Sequence, residues 1–207
     1  LSPDQVDALR NWLALQSAAD DPYRPKFIVS PAMILPRYKR SFQGEHPASA
    51  IHSDAWDGYP QSLYAILNMI AKEEIQNVIF LSGNAHLSCV AEINLRHKQS
   101  EQTQTLWSIH SSALYAPLPF ANASRADIAA EDEFVLASGS APEEHYSCQV
   151  STRFAPKGEG FAYLNIEKNR GNWSINCEFD RRTSAEQKEK LFKNSSKTYG
   201  TPSSTSA

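Results

Sequence analysis

An asparagine and a histidine follow directly on an apolar run in the middle of the chain. Residues 80–88 read FLSGNAHLS, so Asn84 and His86 stand two positions apart behind Gly83. Neutral imidazole is a good ligand for zinc, iron or manganese, and an amide oxygen suits harder cations. If the run is a buried parallel strand, both side chains lie at its carboxyl end, where ligands of α/β sheets bind. The pattern therefore indicates a candidate metal site, with an ordinary turn and a hydrogen-bonded histidine as the alternative.

A second group of reactive side chains lies in residues 52–60, HSDAWDGYP, inside a long irregular stretch. Long loops within compact domains are often functional. Three of its side chains can bind a metal or transfer a proton and two are aromatic walls for a pocket: His52, Asp54, Asp57, Trp56 and Tyr59. Two carboxylates and a histidine that converge near Asn84 and His86 would make a metal site.

Two further features remain open between a functional and a structural role. His110 ends an extended stretch, SIHSS, where it can orient a ligand, touch a substrate or be hydrogen-bonded inside the core. Residues 36–40, PRYKR, form a small basic cluster. Arginine pairs well with phosphate, so this cluster is either an anion-attracting group or ordinary solvated surface.

The elements that would position these side chains follow from the hydrophobic pattern. The first half predicts βαβ organisation, with a capped helix, a short strand, a second helix and an all-apolar strand over residues 3–16, 26–30, 60–74 and 77–83. The second half predicts strands over residues 88–96, 105–113, 134–138, 144–154, 159–167 and 172–180. The last three alternate clearly and should be antiparallel, with KNRG as a hairpin turn. We therefore predict an α/β (α+β) fold.

Composition excludes several classes of protein. The 207 residues carry a formal net charge of -3, which is no electrostatic signature for nucleic acid or an anionic membrane. No apolar run reaches the roughly 20 residues of a membrane-spanning helix. The three cysteines form no CxxC pair, which argues against a thiolate zinc site and favours a reducing, cytoplasmic compartment. Neither a Gly-x-Ser-x-Gly elbow nor a phosphate-binding P-loop is present.

Three stretches, taken in order, carry a resemblance to a known family: SDAWDGYP, NVIFLSGNAHLS and SSALYAPLPFAN. With the opening LSPDQVDALRNWL and the KFIVSP strand, they resemble the carboxyl-terminal half of PhoD-like phosphatases, which are calcineurin-like metallophosphoesterases. The resemblance implies that residues 1–180 are part of a four-layer α/β/β/α sandwich. It also implies a binuclear centre of Ca, Fe, Mn or Zn ions that hydrolyses phosphate esters. Residues 181–207 are predicted to be a short polar helix and a disordered tail.

The resemblance also implies roles for individual residues. His86 matches the metal-binding histidine of a Gly-Asp-x-His motif, and Asn84 stands where the family usually has aspartate. Asp54 and Asp57 match the acidic residues of the family's loop and are expected beside the phosphate or behind the ligands. From the same region, His52 is expected to be catalytic together with Asp54 and Asp57. The expected substrate-binding side chains are Trp56, Tyr59 and His110.

Departures from the family pattern limit what the chain is expected to do alone. The superfamily's other ligand motifs are missing, since the sequence contains neither an Asp-x-His nor a Gly-Asp pair. The chain also begins at Leu1 without an initiator methionine. We therefore expect a fragment of a longer enzyme that is not competent alone, or else an inactive module that binds a partner or ligand. Half a sandwich should expose strand edges that a missing half or self-association would cover.

Overall fold

The structure is a computed structural model, and it describes residues 2–39, 41, 55–100, 102–114, 124–136, 145–155 and 159–181. His52 and Asp54 lie outside the described residues. The predicted polar helix and tail also lie outside them, since the description ends at residue 181. Neither described α-helix is long and apolar enough to cross a membrane.

The two described α-helices begin where the sequence places their start signals. Helix α1 spans Pro3–Ser17 and α2 spans Pro60–Lys72, each with proline in its first turn. The predicted cap of α1 is confirmed and is a capping box, because Ser2 Oγ accepts from Gln5 N–H at 3.3 Å and Gln5 Oε1 accepts from Ser2 N–H at 3.0 Å. The apolar stripe of α2 is buried, whereas only Leu13 of α1 is.

Six of the eight described strands form one sheet with the order β1-β2-β4-β3-β6-β5. The strands are β1 Lys26–Val29, β2 Val78–Ser82, β3 Cys89–His97, β4 Thr103–His110, β5 Glu131–Leu136, β6 Tyr146–Phe154, β7 Gly160–Asn169 and β8 Asn172–Arg181. Strand β2 runs parallel to β1 and β4, and the remaining neighbours are antiparallel. Strands β7 and β8 form an antiparallel hairpin, as the sequence predicts. The predicted mixed α+β fold is therefore confirmed.

The sheet is covered on both faces. The helices α1 and α2 pack on one face, where Phe80, Ile93 and Leu106 are fully buried beneath them. The β7–β8 hairpin packs on the other face and meets side chains of the parallel strands, such as Ile79 and Ile109. The described residues thus form three layers, in the order helices, mixed sheet and hairpin.

Strand β5 begins three residues before the predicted position, in the charged stretch EDEF. Charged residues are depleted in strands, so the sequence pattern places them in a loop. In the structure the carboxylate of Asp132 is buried against Arg37, with Nε–Oδ2 and Nη2–Oδ1 distances of 2.7 and 2.8 Å. This bidentate ion pair between distant segments allows the strand to start earlier than its composition indicates.

Candidate functional site

The segments that leave the parallel strands β1, β2 and β4 stay hydrogen-bonded to one another at one edge of the sheet. Ser30 N–H donates to Leu81 O at 2.9 Å, and Ser111 N–H donates to Ser82 O at 2.9 Å. Asn84 N–H then donates to Pro31 O at 3.2 Å. This edge is formed by the carboxyl ends of parallel strands, where ligand sites of α/β sheets lie.

The loop that contains Asp57 is attached to the same edge. Its 3-10 turn, Trp56–Gly58, lies against the segment that follows β1. The Trp56 backbone N–H donates to Met33 O at 3.1 Å, and its indole Nε1–H donates to Ser30 Oγ at 2.9 Å. Because Asn84 bonds to Pro31 of that segment, both candidate loops meet on residues 30–33.

Apolar packing joins the two loops as well. Met33, Ala55 and Leu87 are buried in one cluster, against which Phe154 packs. Ala55 immediately precedes Trp56, and Leu87 immediately follows His86. The tertiary structure therefore brings together two stretches that lie about 30 residues apart in the sequence.

Asp57 is only 5% exposed, and its carboxylate holds the loop in place. Oδ2 accepts from the Tyr38 backbone N–H at 2.9 Å and from the Ser41 hydroxyl. Hydrogen bonds from an amide and a hydroxyl suit the ionised carboxylate. Tyr59, at the end of the same turn, is exposed, and Trp56 is half-buried.

The turn between β2 and β3 places Asn84 and His86 on its outer side. Asn84 is exposed, and His86 is half-buried with a φ of 51°, in the left-handed region that non-glycine residues rarely adopt. Gly83 does not adopt a positive φ, and a Cβ there would lie 3.6 Å from Ser111 O, an ordinary contact. The unusual backbone of this turn therefore lies at His86 and not at the glycine. Unusual backbone conformations of this kind cluster at functional sites.

His110 is completely buried at the end of β4, and both of its ring nitrogens are used inside the protein. Nε2 accepts from Ala85 N–H at 3.1 Å, and Nδ1 lies 2.7 Å from Ser82 Oγ. Since Nε2 is an acceptor, the neutral ring carries its proton on Nδ1 and donates it to Ser82. Burial, with a smaller contribution from the charge of His86, lowers the pKa of His110 to about 4.

The described residues of the basic cluster around Arg37 differ in how deeply they are buried. Arg37 is buried, forms the bidentate pair with Asp132, and lies with its Cζ 4.0 Å from the ring centroid of Phe134. Lys39 is half-buried, and its backbone N–H donates to Asp127 O at 2.8 Å. Arg40 lies outside the described residues. The Arg37 guanidinium thus has a structural partner.

The donors of this edge fit part of a metal shell. His86 offers an imidazole and Asn84 an amide oxygen, and both belong to one turn. Among the described residues, no group of three or more His, Cys, Asp and Glu side chains is close enough to hold a metal ion. Structural zinc sites use four protein ligands and catalytic ones three, so a complete site at this turn would need further donors.

The chain is thus a mixed α+β protein with candidate metal ligands on loops at the carboxyl edge of parallel strands. A family model described as PhoD-like phosphatase matches residues 1–175, which is more than half of the chain. The chain therefore belongs to the PhoD-like phosphatase family. No curated protein is significantly similar to the chain, and no solved structure is either.

Proposed function

We propose that this chain is the part of a metal-dependent phosphoric ester hydrolase that carries Asn84 and His86. Family membership supports a phosphatase-type function. The observation that carries the finer proposal is the meeting of the two candidate loops on residues 30–33, through the bonds of Trp56 and Asn84. A site at the carboxyl edge of parallel strands, formed by two loops, suits an anionic ligand together with a cation.

In this proposal the turn residues bind the cation. His86 would contribute an imidazole nitrogen and Asn84 an amide oxygen, to calcium, iron, manganese or zinc. A bound metal ion supplies positive charge that stabilises the negative charge developing on a phosphoryl group. Asn84 contributes an oxygen without a charge, so its hold on a cation is weaker than that of the family's aspartate.

The loop around Asp57 would handle the phosphate ester. Asp57 fixes the loop through the Tyr38 N–H and the Ser41 hydroxyl, which leaves Tyr59 exposed at the turn for contact with the substrate. Trp56 is proposed as a rigid wall of the same site. The catalytic roles of His52 and Asp54 remain predictions, because both lie outside the described residues.

We propose that the remaining ligands come from polypeptide outside this sequence. Superfamily members carry Asp-x-His and Gly-Asp motifs, and neither pattern occurs in the 207 residues. The isolated chain should therefore not hydrolyse p-nitrophenyl phosphate with added Mn²⁺, Ca²⁺ or Fe³⁺. Turnover by the isolated chain would overturn this part of the proposal. If H86A abolished that turnover, the result would still support the metal site at His86.

Metal binding tests the assignment of the turn directly. We expect Mn²⁺ to bind weakly to the isolated chain in calorimetry or electron paramagnetic resonance, and H86A to abolish this binding. N84D restores a carboxylate and should tighten binding by about tenfold or more, whereas N11D on the exposed face of α1 should not change it. Equal Mn²⁺ binding by wild type and H86A would exclude His86 as a ligand.

An inactive module that binds a partner or ligand is the alternative function. The asparagine at position 84 favours it, because a missing charge weakens cation binding. A chain that binds no Mn²⁺ even as N84D would support this alternative.

A further inference from the structure

We propose that His110 is the positioning residue of the turn that presents Asn84 and His86. Its ring fixes the backbone of the turn through Ala85 and is itself fixed through Ser82. The inference rests on the proposed function only where it concerns the metal; the hydrogen bonds that carry it are independent of any ion.

Residues 83–88 belong to neither β2 nor β3, so contacts outside the strand ladders hold the turn. At its start, Asn84 N–H bonds to Pro31 O at 3.2 Å. At its end, Ser88 O accepts from Ala155 N–H at 2.9 Å, and Ser88 Oγ accepts from Ser112 N–H at 2.9 Å. Between these points the Ala85 N–H donates to a side chain, the imidazole of His110.

His86 lies between the Ala85 and Ser88 anchors, and it is the residue that needs them. Its left-handed backbone is unfavourable for a residue with a Cβ. Such a conformation persists only where the surroundings hold it. The Ala85 N–H belongs to the peptide unit between Asn84 and Ala85, one residue before His86. Fixing this unit limits the directions in which the His86 imidazole can point. A ligand held in one orientation binds a metal better than one that must first be ordered.

A histidine performs this task because one rigid ring offers an acceptor and a donor at a fixed separation. Ser82 Oγ accepts the Nδ1 proton, which keeps Nε2 unprotonated and able to accept from Ala85. Asparagine places its terminal atoms near the position of Nδ1 and reaches Ser82, whereas glutamine reaches farther, towards Ala85. H110N and H110Q therefore separate the two bonds.

The experiment uses nuclear magnetic resonance on the ¹⁵N-labelled chain. In wild type we expect the Ala85 amide to be protected from hydrogen exchange and His86 to show rigid backbone relaxation. H110N should raise the Ala85 exchange rate by about tenfold or more and increase the mobility of His86. H110Q should restore much of the exchange protection of the Ala85 amide and of the backbone rigidity of His86. Unchanged exchange and order in a folded H110N would overturn the proposal, and so would a loss that follows global unfolding equally in both variants.

The ring itself provides a test that needs no variant. Long-range ¹H–¹⁵N correlations should show His110 in the Nδ1–H form, with Nε2 unprotonated. The Nε2–H form would overturn the proposal, because Nε2 could then not accept from Ala85. S82A should weaken the preference of His110 for the Nδ1–H form and raise the exchange rate of the Ala85 amide. The hydrogen bond from Ala85 to His110 can still form in this variant.

Added Mn²⁺ distinguishes this inference from the proposed function. We expect Mn²⁺ to broaden the His86 resonances of wild type, with broadening weakened in H110N and regained in H110Q. If wild type shows no broadening while the order of Ala85 and His86 still depends on His110, the metal assignment fails and the positioning role stands. If Mn²⁺ broadens the His86 resonances of H110N as fully as those of wild type, metal binding does not depend on His110, and this part of the proposal is overturned.

Discussion

The carboxylate of Asp57 connects two segments that are separate in the sequence. It belongs to the turn before α2, accepts from the Tyr38 backbone and accepts from the Ser41 hydroxyl. Those bonds account for its burial and make it a structural group of the loop. A catalytic effect of changing Asp57 would therefore include displacement of the neighbouring Trp56 and Tyr59.

Substitution of Asp57 should lower stability according to how much acceptor capacity remains. D57A removes the acceptor of the Tyr38 N–H and should reduce the free energy of unfolding by about 1–3 kcal/mol. D57N keeps a carbonyl oxygen and should lose less. Urea unfolding measures both, and a D57A protein as stable as wild type would show that the loop is held in another way.

The pair formed by Arg37 and Asp132 is the most buried ion pair among the described residues. Burial lowers the pKa of Arg37, but the hydrogen-bonded carboxylate of Asp132 outweighs burial, so the pKa lies above its ordinary value. A buried charge without its partner is strongly destabilising. Loss of either partner should therefore lower the free energy of unfolding, because the other charge would stay buried without its partner.

Neutralising Asp132 should therefore be severe. D132N should lower the free energy of unfolding by about 3 kcal/mol, because it leaves the Arg37 guanidinium buried against a neutral amide. E133Q, at an exposed neighbouring position of β5, should change it by less than about 0.5 kcal/mol. Chemical denaturation of the two variants tests this, and similar losses in both would contradict the assigned burial.

At the scale of elements, the β7–β8 hairpin depends on a two-residue turn. Arg170 and Gly171 have φ values of 51° and 86°, and Asn169 pairs with Asn172 across the turn. Positive φ at both central residues is the requirement of a type I′ turn. The hairpin covers one face of the parallel strands, so its formation is linked to that part of the core.

Replacement of Gly171 should weaken the hairpin. G171A places a Cβ in the left-handed region and should lower the free energy of unfolding by about 1–2 kcal/mol. G83A is a suitable control, since Gly83 lacks a positive φ and its added Cβ would make an ordinary contact. Thermal unfolding compares the two, and an equal loss in both would contradict the difference in backbone.

At the scale of the whole molecule, stability should depend on pH through the buried His110. Its pKa is about 4 in the folded chain, against an ordinary 6.5. As the pH falls through this interval, the unfolded chain takes up a proton on His110 that the folded chain does not. The free energy of unfolding therefore falls by up to about 3 kcal/mol between pH 7 and pH 4, and this decrease levels off below pH 4.

The variant H110Q isolates this contribution. Both proteins share all other titrating groups, so the difference in their free energies of unfolding removes those groups. The advantage of wild type over H110Q should shrink by about 3 kcal/mol from pH 7 to pH 4. Urea unfolding at several pH values measures it, and a constant difference would show that His110 titrates normally.

We expect the terminal strand β1 to govern how the isolated chain associates. Strand β1 is terminal in the strand order, and Val29 at its end is 77% exposed. An open edge with apolar side chains pairs readily with another chain. We expect concentration-dependent self-association in sedimentation velocity, reduced by V29K. L15K, at a 70% exposed position of α1, should not reduce it; a monodisperse wild-type monomer would contradict this expectation.

Most elements of this fold follow from local patterns. Proline at the first helical position, the Ser2–Gln5 capping box and the apolar stripe of α2 define the helices, and the apolar run at 77–83 defines a buried strand. The stretches around Asp57 and His86 likewise carry the family resemblance in their residue types. These signals are local, because period and capping depend on residues a few positions apart.

The partners of polar side chains were decided by the tertiary structure. Arg37 and Asp132 are 95 residues apart, Tyr38 and Asp57 are 19 apart, and Ala85 and His110 are 25 apart. No local pattern predicts such pairs, since each forms only when packing brings distant segments together and burial makes an unpaired polar group costly. For that reason the sequence alone identified the turn of His86 as a candidate site, while only the folded chain revealed that His110 supports it from within.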